Sequence, residues 1–315
     1  MTDADLQAIA PSIWRIGGDL TLPLERLRIM AILNVTPDSF FDGGQHNSLD
    51  AALSFARQAV RSGADIIDVG PESTRPGAEP VDAAEQIRRA VPVICALRAD
   101  GITLPISIDT SRADVAHAAL DVGAEIINDV SAGTDDPDML PLAADRGIGL
   151  VLMHRLCRPK VDRYSTRYGD EAPDYTQKHG GVVGAVRDFL RSRIDASLAA
   201  GVEMQRLVLD PGLGFGKNVE QNITLIRELG RLQHELGTPM LSAASRKSFL
   251  GTSSENDSPT VRQSASVAVT VYHALSGIRL FRVHDVAEHA RALATVSQLV
   301  GAKSAAQVLR PATLG

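Results

Sequence analysis

The stretch RLVLDPGLGFGKN at positions 206–218 begins as a short apolar run and continues into an aspartate, three glycines and a lysine. A phosphate-binding loop of the Walker type needs Gly, four residues, then Gly-Lys-Ser or Gly-Lys-Thr, but Pro211 holds the first glycine position and Asn218 follows the lysine. The dinucleotide fingerprint G-x-G-x-x-G fails as well, because its third glycine would fall at Lys217. The stretch is instead typical of a buried strand that ends at Asp210.

Seven further runs of apolar and β-branched residues recur along the chain. They are RIMAILNV (28–35), ADIIDVG (64–70), LPISIDT (104–110), AEIINDV (124–130), IGLVLMH (148–154), PMLSAAS (239–245) and LFRVHDV (280–286). Near-continuous apolar runs are typical of parallel strands that are buried on both faces. Stretches with helical spacing lie between them, and several end in glycine. Eight strand–helix alternations favour a closed (β/α)8 barrel, the TIM barrel, over an open doubly wound sheet, although alternation alone leaves the open sheet possible.

We divide the chain into three parts. Residues 1–27 form an N-terminal extension with a short hairpin, WRIGGDLTL, that turns at Gly17 and Gly18. In a barrel of this kind the hairpin would cover the end away from the active site. Residues 28–301 form the barrel, and residues 302–315 form a small, polar tail that we expect to be flexible.

The bulk composition excludes several classes of protein. A chain of 315 residues, 44% hydrophobic and 22% charged, is typical of a soluble globular protein. The net charge of -6 argues against nucleic-acid binding, which needs clustered basic charge. We expect neither a signal peptide nor a membrane span. Two cysteines, Cys95 and Cys157, are too few for a disulfide framework or a zinc site, so we expect a cytoplasmic protein.

Polar side chains stand at the end of almost every predicted strand, where barrel enzymes place their chemistry. One such residue alone is more often a helix cap or a turn former, but eight of them at one end of a barrel favour a binding site. Carboxylates and amides suit a flat heterocycle with ring N–H and amino donors, and a lysine suits its carbonyl. The polar residues expected around such a ring are Asp109, Asn128, Asp210 and Lys247, and Met153 and Phe215 are expected on its faces.

A second polar group contains Asn34, Arg282 and His284. We predict that it is separate from the first and suited to an anion such as a phosphate. The chain shows no Ser-His-Asp order, no Cys-His pair with a nearby base and no cluster of several histidines. Covalent catalysis is therefore not the leading hypothesis.

Eight motifs follow one another along the barrel: ILNVTPDSF, DVGPESTRPGAEPV, ISIDTSRADVA, INDVSAG, LMH, LDPGLGFGKN, SRKSFLG and RVHDV. In type and order they resemble those of the dihydropteroate synthase family, pterin-binding TIM barrels, from about residue 28 to about residue 298. The resemblance implies a transferase of folate biosynthesis that joins 6-hydroxymethyl-7,8-dihydropterin pyrophosphate to p-aminobenzoate. The products would be 7,8-dihydropteroate and pyrophosphate, formed by an SN1-like mechanism. It also implies Mg²⁺ as cofactor, a homodimer and sulfonamides as inhibitors.

The resemblance assigns a role to each motif residue. The pterin would meet Asp109, Asn128, Met153, Asp210, Phe215 and Lys247. Pyrophosphate would meet Asn34, Arg282 and His284, with Asn34 also helping to hold Mg²⁺. The p-aminobenzoate side would consist of Thr74, Arg75, Pro76, Ser248 and Phe40, the last of these in a closing loop at positions 34–44 that also carries Asp42. The catalytic residues would be Asp109, Asp210, Lys247, Arg282 and His284.

Four features depart from the family's pattern. Pro71 replaces a glycine before the Glu-Ser-Thr-Arg loop and restricts its hinge. Phe41 replaces a small residue, and the methyl group of Ala243 stands where a glycine usually lets the backbone approach the pterin. The segment at positions 155–181 is longer than usual, and we expect it, with its tyrosines Tyr164, Tyr168 and Tyr175, to be a simple surface insertion.

Two other functions stay open at this point. A methyltetrahydrofolate-dependent methyltransferase domain would share the pterin aspartates and asparagine but would not need the Ser-Thr-Arg-Pro, Ser-Arg-Lys-Ser and Arg-Val-His motifs. A non-catalytic pterin-binding paralogue would be expected to have lost the loop or anion residues, which this chain keeps.

Overall fold

The computed structural model describes residues 13–36, 45–168, 173–176, 180–251 and 258–300. Within these ranges, eight parallel strands follow an N-terminal antiparallel hairpin. The hairpin strands are β1 (Ile13–Gly17) and β2 (Leu20–Pro23). The parallel strands are β3 (Arg28–Asn34), β4 (Ile66–Gly70), β5 (Ile106–Asp109), β6 (Ile126–Asp129), β7 (Gly149–Met153), β8 (Leu207–Asp210), β9 (Leu241–Ser242) and β10 (Leu280–Val283). All eight lie in the runs that the sequence predicts.

Helices on the outside of the sheet connect these strands. They are α1 (Gln45–Arg61), α2 (Ala83–Ala99), α3 (Ala113–Asp121), α4 (Met139–Arg146), α5 (Gly181–Ala199), α6 (Val219–Leu236), α7 (Pro259–Leu275) and α8 (Val286–Val300). Asn218 caps α6 by accepting from the Gln221 amide, and the Gln221 side chain accepts from the Asn218 amide. Gly237 ends the helix with φ of 64°, a left-handed conformation that glycine adopts without strain. Each helix in the described ranges is too short or too polar to cross a bilayer.

The sheet closes on itself. Its strands follow the order β8-β7-β6-β5-β4-β3-β10-β9. Strands β3 to β7 therefore each lie beside the strand that follows in sequence, and β10 lies between β3 and β9. A parallel bridge between Leu209 and Met240 joins the two ends of this order, and the Leu209 amide donates to the Pro239 carbonyl at 2.9 Å. The predicted (β/α)8 barrel is therefore confirmed.

The hairpin covers the N-terminal end of the barrel. Trp14 and Ile16 are completely buried, and the Trp14 indole N–H donates to the Arg206 carbonyl at 2.8 Å. The hairpin packs on a layer of apolar side chains near the starts of the strands, namely Met30, Ile66, Ile126, Val151, Val208, Leu241 and Leu280. The turn lies at Gly18 and Asp19, one residue later than predicted, because Gly17 still pairs with Leu20. The division at residues 27 and 301 stays a prediction, and the tail at 302–315 lies outside the described residues.

Candidate active site

The site residues form a second layer inside the barrel. Side chains alternate along a strand, so the residue two positions after a core residue points to the same face. Two positions after the apolar layer, the interior residues are Ile32, Asp68, Asn128, Met153, Asp210, Ala243 and Arg282. The barrel interior thus changes from apolar to largely polar within one repeat of each strand.

A cavity of about 500 Å³ opens at the C-terminal end of the strands. It brings together most of the residues that the sequence assigns to the site: Asn34, Thr74, Arg75, Pro76, Asp109, Phe215, Lys247, Ser248, Arg282 and His284. Asn128, Met153 and Asp210 are buried and do not line it. Phe40, Phe41 and Asp42 lie outside the described residues, so their predicted places in the closing loop stay predictions.

Arg282 links two buried carboxylates. Its Nε donates to Asp68 Oδ2 at 2.7 Å, and its Nη2 donates to Asp109 Oδ2 at 2.6 Å. Asn128 Nδ2 also donates to Asp68 Oδ2, at 3.2 Å. The sequence-based separation of Arg282 from the ring-binding carboxylates was therefore wrong. The arginine comes from β10, which is separated from β5 by β3 and β4, and its long side chain reaches across the barrel interior.

Two carboxylate oxygens of this cluster accept no hydrogen bond within the described part of the chain. Asp68 Oδ1 and Asp109 Oδ1 are both buried and have no hydrogen-bond partner among the described residues. Burial raises the pKa of Asp109, while Arg282 opposes that rise. A ligand N–H directed at such an oxygen would favour the ionised carboxylate. The cluster is therefore suited to a ligand that brings hydrogen-bond donors or positive charge.

Asp68 is a site residue that was not predicted from the sequence. It lies in the middle of the otherwise apolar strand β4 and is fully buried. The sequence signal that could have identified it is the alternation of side chains along a strand. Asp68 follows the inward-facing Ile66 by two residues and therefore also faces the barrel interior.

Lys247 and Phe215 form a second part of the cavity wall. The Lys247 ammonium lies 4.2 Å from the centroid of the Phe215 ring, within the range of a cation–π contact. Phe215 packs with Val130 and Met153 in a small buried cluster, which holds the ring in place. Burial lowers the pKa of Lys247 to about 8, and Asp210 opposes that shift. The wall thus offers a flat apolar surface beside a donor.

Lys217 explains the glycine-rich stretch after β8. It is fully buried, and its three ammonium hydrogens have three acceptors: the Gly212 carbonyl at 2.8 Å, the Phe215 carbonyl at 2.9 Å and His154 Nδ1 at 2.9 Å. Burial lowers its pKa to about 7. Gly212 has φ of 67°, and a Cβ there would lie 1.7 Å from the His154 carbonyl oxygen. The lysine therefore binds its own loop, and the glycines allow the close approach.

His284 is electrically neutral at neutral pH. Burial lowers its pKa to about 3, and the charges of Arg282, Arg246 and Lys247 act in the same direction. Its Nδ1 lies 3.1 Å from Ser245 Oγ. A serine hydroxyl that donates to Nδ1 leaves the proton on Nε2, so His284 offers an anion a neutral N–H and no charge.

Within the segment at 155–181, the described residues 155–168, 173–176 and 180–181 are not a simple surface insertion. Tyr168 and Tyr175 are 8% and 6% exposed. The Tyr168 hydroxyl donates to the Asp162 carboxylate, whose Oδ2 accepts from the Gly216 amide at 3.0 Å. The Tyr175 hydroxyl donates to the Gly216 carbonyl at 2.8 Å. The expectation of a surface insertion was wrong because Tyr175 bonds the glycine-rich loop directly and Tyr168 bonds it through Asp162, and both rings are buried.

Asn34 is the predicted metal ligand. Among the described residues, no three His, Cys, Asp or Glu side chains are close enough together to hold a metal ion. Asn34 is half-buried and lines the cavity, and its amide supplies one hard oxygen donor. Mg²⁺ commonly keeps several waters and binds through one or two protein oxygens and substrate phosphates. The residues fit that mode of binding and do not fit a cage built of protein ligands alone.

Comparisons with known proteins agree with one another. The family described as "Pterin binding enzyme" matches residues 30–284. The chain is 42% identical over 262 residues to the dihydropteroate synthase of Synechocystis, covering 83% of this chain and 86% of that protein. Among solved structures, the Xanthomonas albilineans dihydropteroate synthase with 4-aminobenzoic acid is 41% identical, with a TM-score of 0.79 over 90% of this chain and 97% of that one. The Yersinia pestis enzyme with a sulfonamide drug is 39% identical, with a TM-score of 0.78 over 90% and 97% of the two chains.

Proposed function

This chain belongs to the dihydropteroate synthase family, and we propose that its cavity joins 6-hydroxymethyl-7,8-dihydropterin pyrophosphate to p-aminobenzoate in folate biosynthesis. The protein is thus a transferase. The observation that carries the assignment of the site is Asp109 Oδ1, a buried carboxylate oxygen without a partner among the described residues. Asp109 lines the cavity next to the ring wall of Phe215 and Lys247. A dihydropterin has both the ring face and the N–H donors that this arrangement lacks.

Both hydrogen-bond acceptors and a hydrogen-bond donor hold the pterin ring. Asp109 accepts from its ring edge, and Lys247 donates to its carbonyl or ring nitrogen. Asn128 and Asp210 are buried and do not line the open cavity, so their predicted contacts with the ring require the cavity to deepen when the pterin binds. Phe215 packs on the ring, with Met153 behind it in the same buried cluster. Asp210 already accepts from the Gly212 amide at 2.7 Å through Oδ1, which directs its carboxylate.

Departure of pyrophosphate is the first chemical step. The bond between the pterin methylene carbon and the pyrophosphate oxygen breaks, and the electron pair leaves with pyrophosphate. Positive charge then spreads from the methylene into the dihydropterin ring, where the Asp109 carboxylate stabilises it. Arg282 and the neutral N–H of His284 bind the departing anion. Asn34 would hold Mg²⁺ together with the phosphates, and the ion, when bound, would neutralise charge on the leaving group.

The aromatic amine then attacks. Its lone pair forms the new C–N bond at the methylene, and the proton that it loses goes to solvent or to pyrophosphate. Aniline nitrogen is a weak nucleophile, but the cation that it meets needs no strongly activated partner, so no strong general base is required. Thr74, Arg75, Pro76 and Ser248 form the acceptor side. The loop at 34–44 would exclude water, which otherwise captures the cation.

Product formation tests this proposal. The purified protein is incubated with Mg²⁺, the dihydropterin pyrophosphate and p-aminobenzoate, and dihydropteroate is measured by chromatography. We expect product that requires both substrates and that is inhibited by a sulfonamide competing with p-aminobenzoate. Pterin binding by calorimetry without product would identify a non-catalytic paralogue. Methyl transfer from methyltetrahydrofolate would identify the methyltransferase, which would not need the acceptor-loop motifs Ser73–Pro76 and Ser245–Ser248 that this chain has.

We further propose a cytoplasmic homodimer. Leu299 at the end of α8 is 81% exposed, and Tyr272 on α7 is 36% exposed, so these neighbouring helices present apolar surface. A second copy of the chain would cover it. Light scattering that gives the mass of a single chain at micromolar concentration would contradict the dimer without affecting the proposed reaction.

A further inference from the structure

Tyr164 is a cavity residue that lies outside all eight sequence motifs. It lies in the loop after β7, it is half-buried, and its side chain lines the cavity together with Pro76 and Ser248. Those two residues belong to the proposed p-aminobenzoate side. The long loop after β7 therefore adds an aromatic side chain to a wall that the motifs alone leave incomplete.

Hydrogen bonds of buried side chains anchor the chain on both sides of Tyr164. Two residues before it, the Asp162 carboxylate is bound by the Gly216 amide and the Tyr168 hydroxyl. One residue after it, Ser165 Oγ accepts from Asn222 Nδ2 at 3.1 Å. Asp162 and Ser165 are both buried. Because the residues on both sides are anchored, the backbone of Tyr164 is held at the cavity wall.

The same loop joins the two segments of the proposed acceptor side. The Gly77 amide donates to the Pro159 carbonyl at 2.8 Å, and Lys160 forms an ion pair with Glu79 at 2.9 Å, so the loop contacts the segment after β4. At its other end, the turn Ser165–Arg167 packs against the turn Ser248–Gly251. Tyr164 therefore lies between the segment of Thr74–Pro76 and the segment of Ser248.

The chemistry at this position matches an aromatic acid. The Arg167 guanidinium carbon lies 5.4 Å from the centroid of the Tyr164 ring, which places a positive charge beside the aromatic surface. An aromatic ring with a carboxylate substituent can pack on the tyrosine and direct its charge toward the guanidinium. We propose that Tyr164 contacts the ring of p-aminobenzoate and determines the enzyme's selectivity for this acceptor. The proposal rests on the proposed function.

Steady-state kinetics of Tyr164→Ala test it. We expect the KM for p-aminobenzoate to rise about five- to tenfold, as for the loss of one aromatic contact, with the KM for the pterin pyrophosphate unchanged. Inhibition by a sulfonamide should weaken by a similar factor. Tyr164→Phe keeps the ring and should retain the wild-type KM for p-aminobenzoate. A raised KM in this variant would show that the hydroxyl is required.

Val161→Ala is the matched control. Val161 lies three residues earlier in the same loop and is 70% exposed, so both KM values should remain at the wild-type level. If Tyr164→Ala does not fold, the comparison of Tyr164→Leu with Tyr164→Phe replaces it, and only the leucine variant should bind p-aminobenzoate weakly.

Two results would overturn the inference and one would overturn the function instead. An unchanged KM for p-aminobenzoate in Tyr164→Ala, or equal rises in both KM values, would show that Tyr164 does not act on the acceptor. Absence of dihydropteroate with the wild-type protein would contradict the proposed function itself, because that result does not depend on Tyr164.

Discussion

The two ends of the barrel are built from the same eight strands but have opposite chemistry. At the N-terminal end, the interior layer from Met30 to Leu280 is apolar and is covered by Trp14 of the hairpin. One repeat further along the strands, the interior holds Asp68, Asp109 and Arg282 as a buried charged cluster. One end is closed by packing, and the other is open to a cavity.

This difference separates stability from function. Apolar burial at the hairpin end favours folding, because it removes hydrocarbon surface from water. Burial of charged groups at the cavity end disfavours folding unless each group is paired, and Asp109 Oδ1 is left without a partner among the described residues. Functional sites commonly retain such unfavourable groups because a ligand completes them. Variants at the two ends should therefore lose different properties: stability at the hairpin end and activity at the cavity end.

The largest effect is expected for Trp14→Ala. Loss of a fully buried tryptophan should lower the free energy of unfolding by about 3–5 kcal/mol, because the cavity cannot collapse around the remaining hairpin. Turnover per folded molecule should not change. Ile13→Ala, at a 44% exposed position of the same strand, is the control and should have little effect on either quantity. Denaturant titration and product formation measure the two quantities, and a proportional loss of both would contradict the separation.

Lys247→Met should show the opposite behaviour. Removal of the ammonium that lies on Phe215 should reduce kcat/KM by at least about 100-fold, or about 3 kcal/mol of transition-state stabilisation. The melting temperature should stay the same or rise, since the variant no longer buries a cation. Wild-type turnover in Lys247→Met would remove this residue from the proposed site.

Lys217→Met should mainly reduce stability, because Lys217 lies at the cavity end but holds the structure of its own loop. The variant leaves three buried acceptors without their donor, among them the carbonyls of Gly212 and Phe215, and should destabilise the protein by about 2–3 kcal/mol. The KM for the pterin pyrophosphate should also rise, because the loop positions Phe215. A variant as stable as the wild type would contradict the assigned role of the lysine.

The smallest effect is a pH dependence. Burial lowers the pKa of Lys247 to about 8, so in the free enzyme the side chain loses its charge above that pH. We expect kcat/KM to fall by up to about tenfold per pH unit above about pH 8. Lys247→Arg keeps its charge in this range, and its profile should lack the fall even if its activity is lower. An identical alkaline limb in the arginine variant would assign the titration to another group.

Most of the fold could be predicted from the sequence, because parallel strands and capped helices have local signals. The eight apolar runs and the glycine at the end of α6 are of this kind, and so is the polar residue at each strand end. Ten predicted site residues line one cavity because a barrel gathers its strand ends whatever the loops do.

Contacts between distant segments could not be predicted in this way. The pairing of Arg282 with Asp68 and Asp109 depends on which side chains are long enough to cross the barrel. The three residues are far apart in sequence, so no local pattern predicts this pairing. The folding of Lys217 back on its own loop likewise requires the close approach of the His154 backbone. Tyr164 lies at the cavity between anchors at Asp162 and Ser165, whose partners Gly216 and Asn222 lie more than 50 residues away in sequence.

Asp109→Asn removes one charge from the cavity end and leaves the hairpin end unchanged. The amide can still accept from Arg282, which also keeps its bond to Asp68, so the free energy of unfolding should change by less than about 1 kcal/mol. The carboxylate charge that stabilises the pterin cation is lost, and we expect dihydropteroate formation to fall by at least about 100-fold. Measured on equal amounts of folded protein, that result would place the chemistry at the charged end of the barrel. Turnover at the wild-type rate would contradict the account.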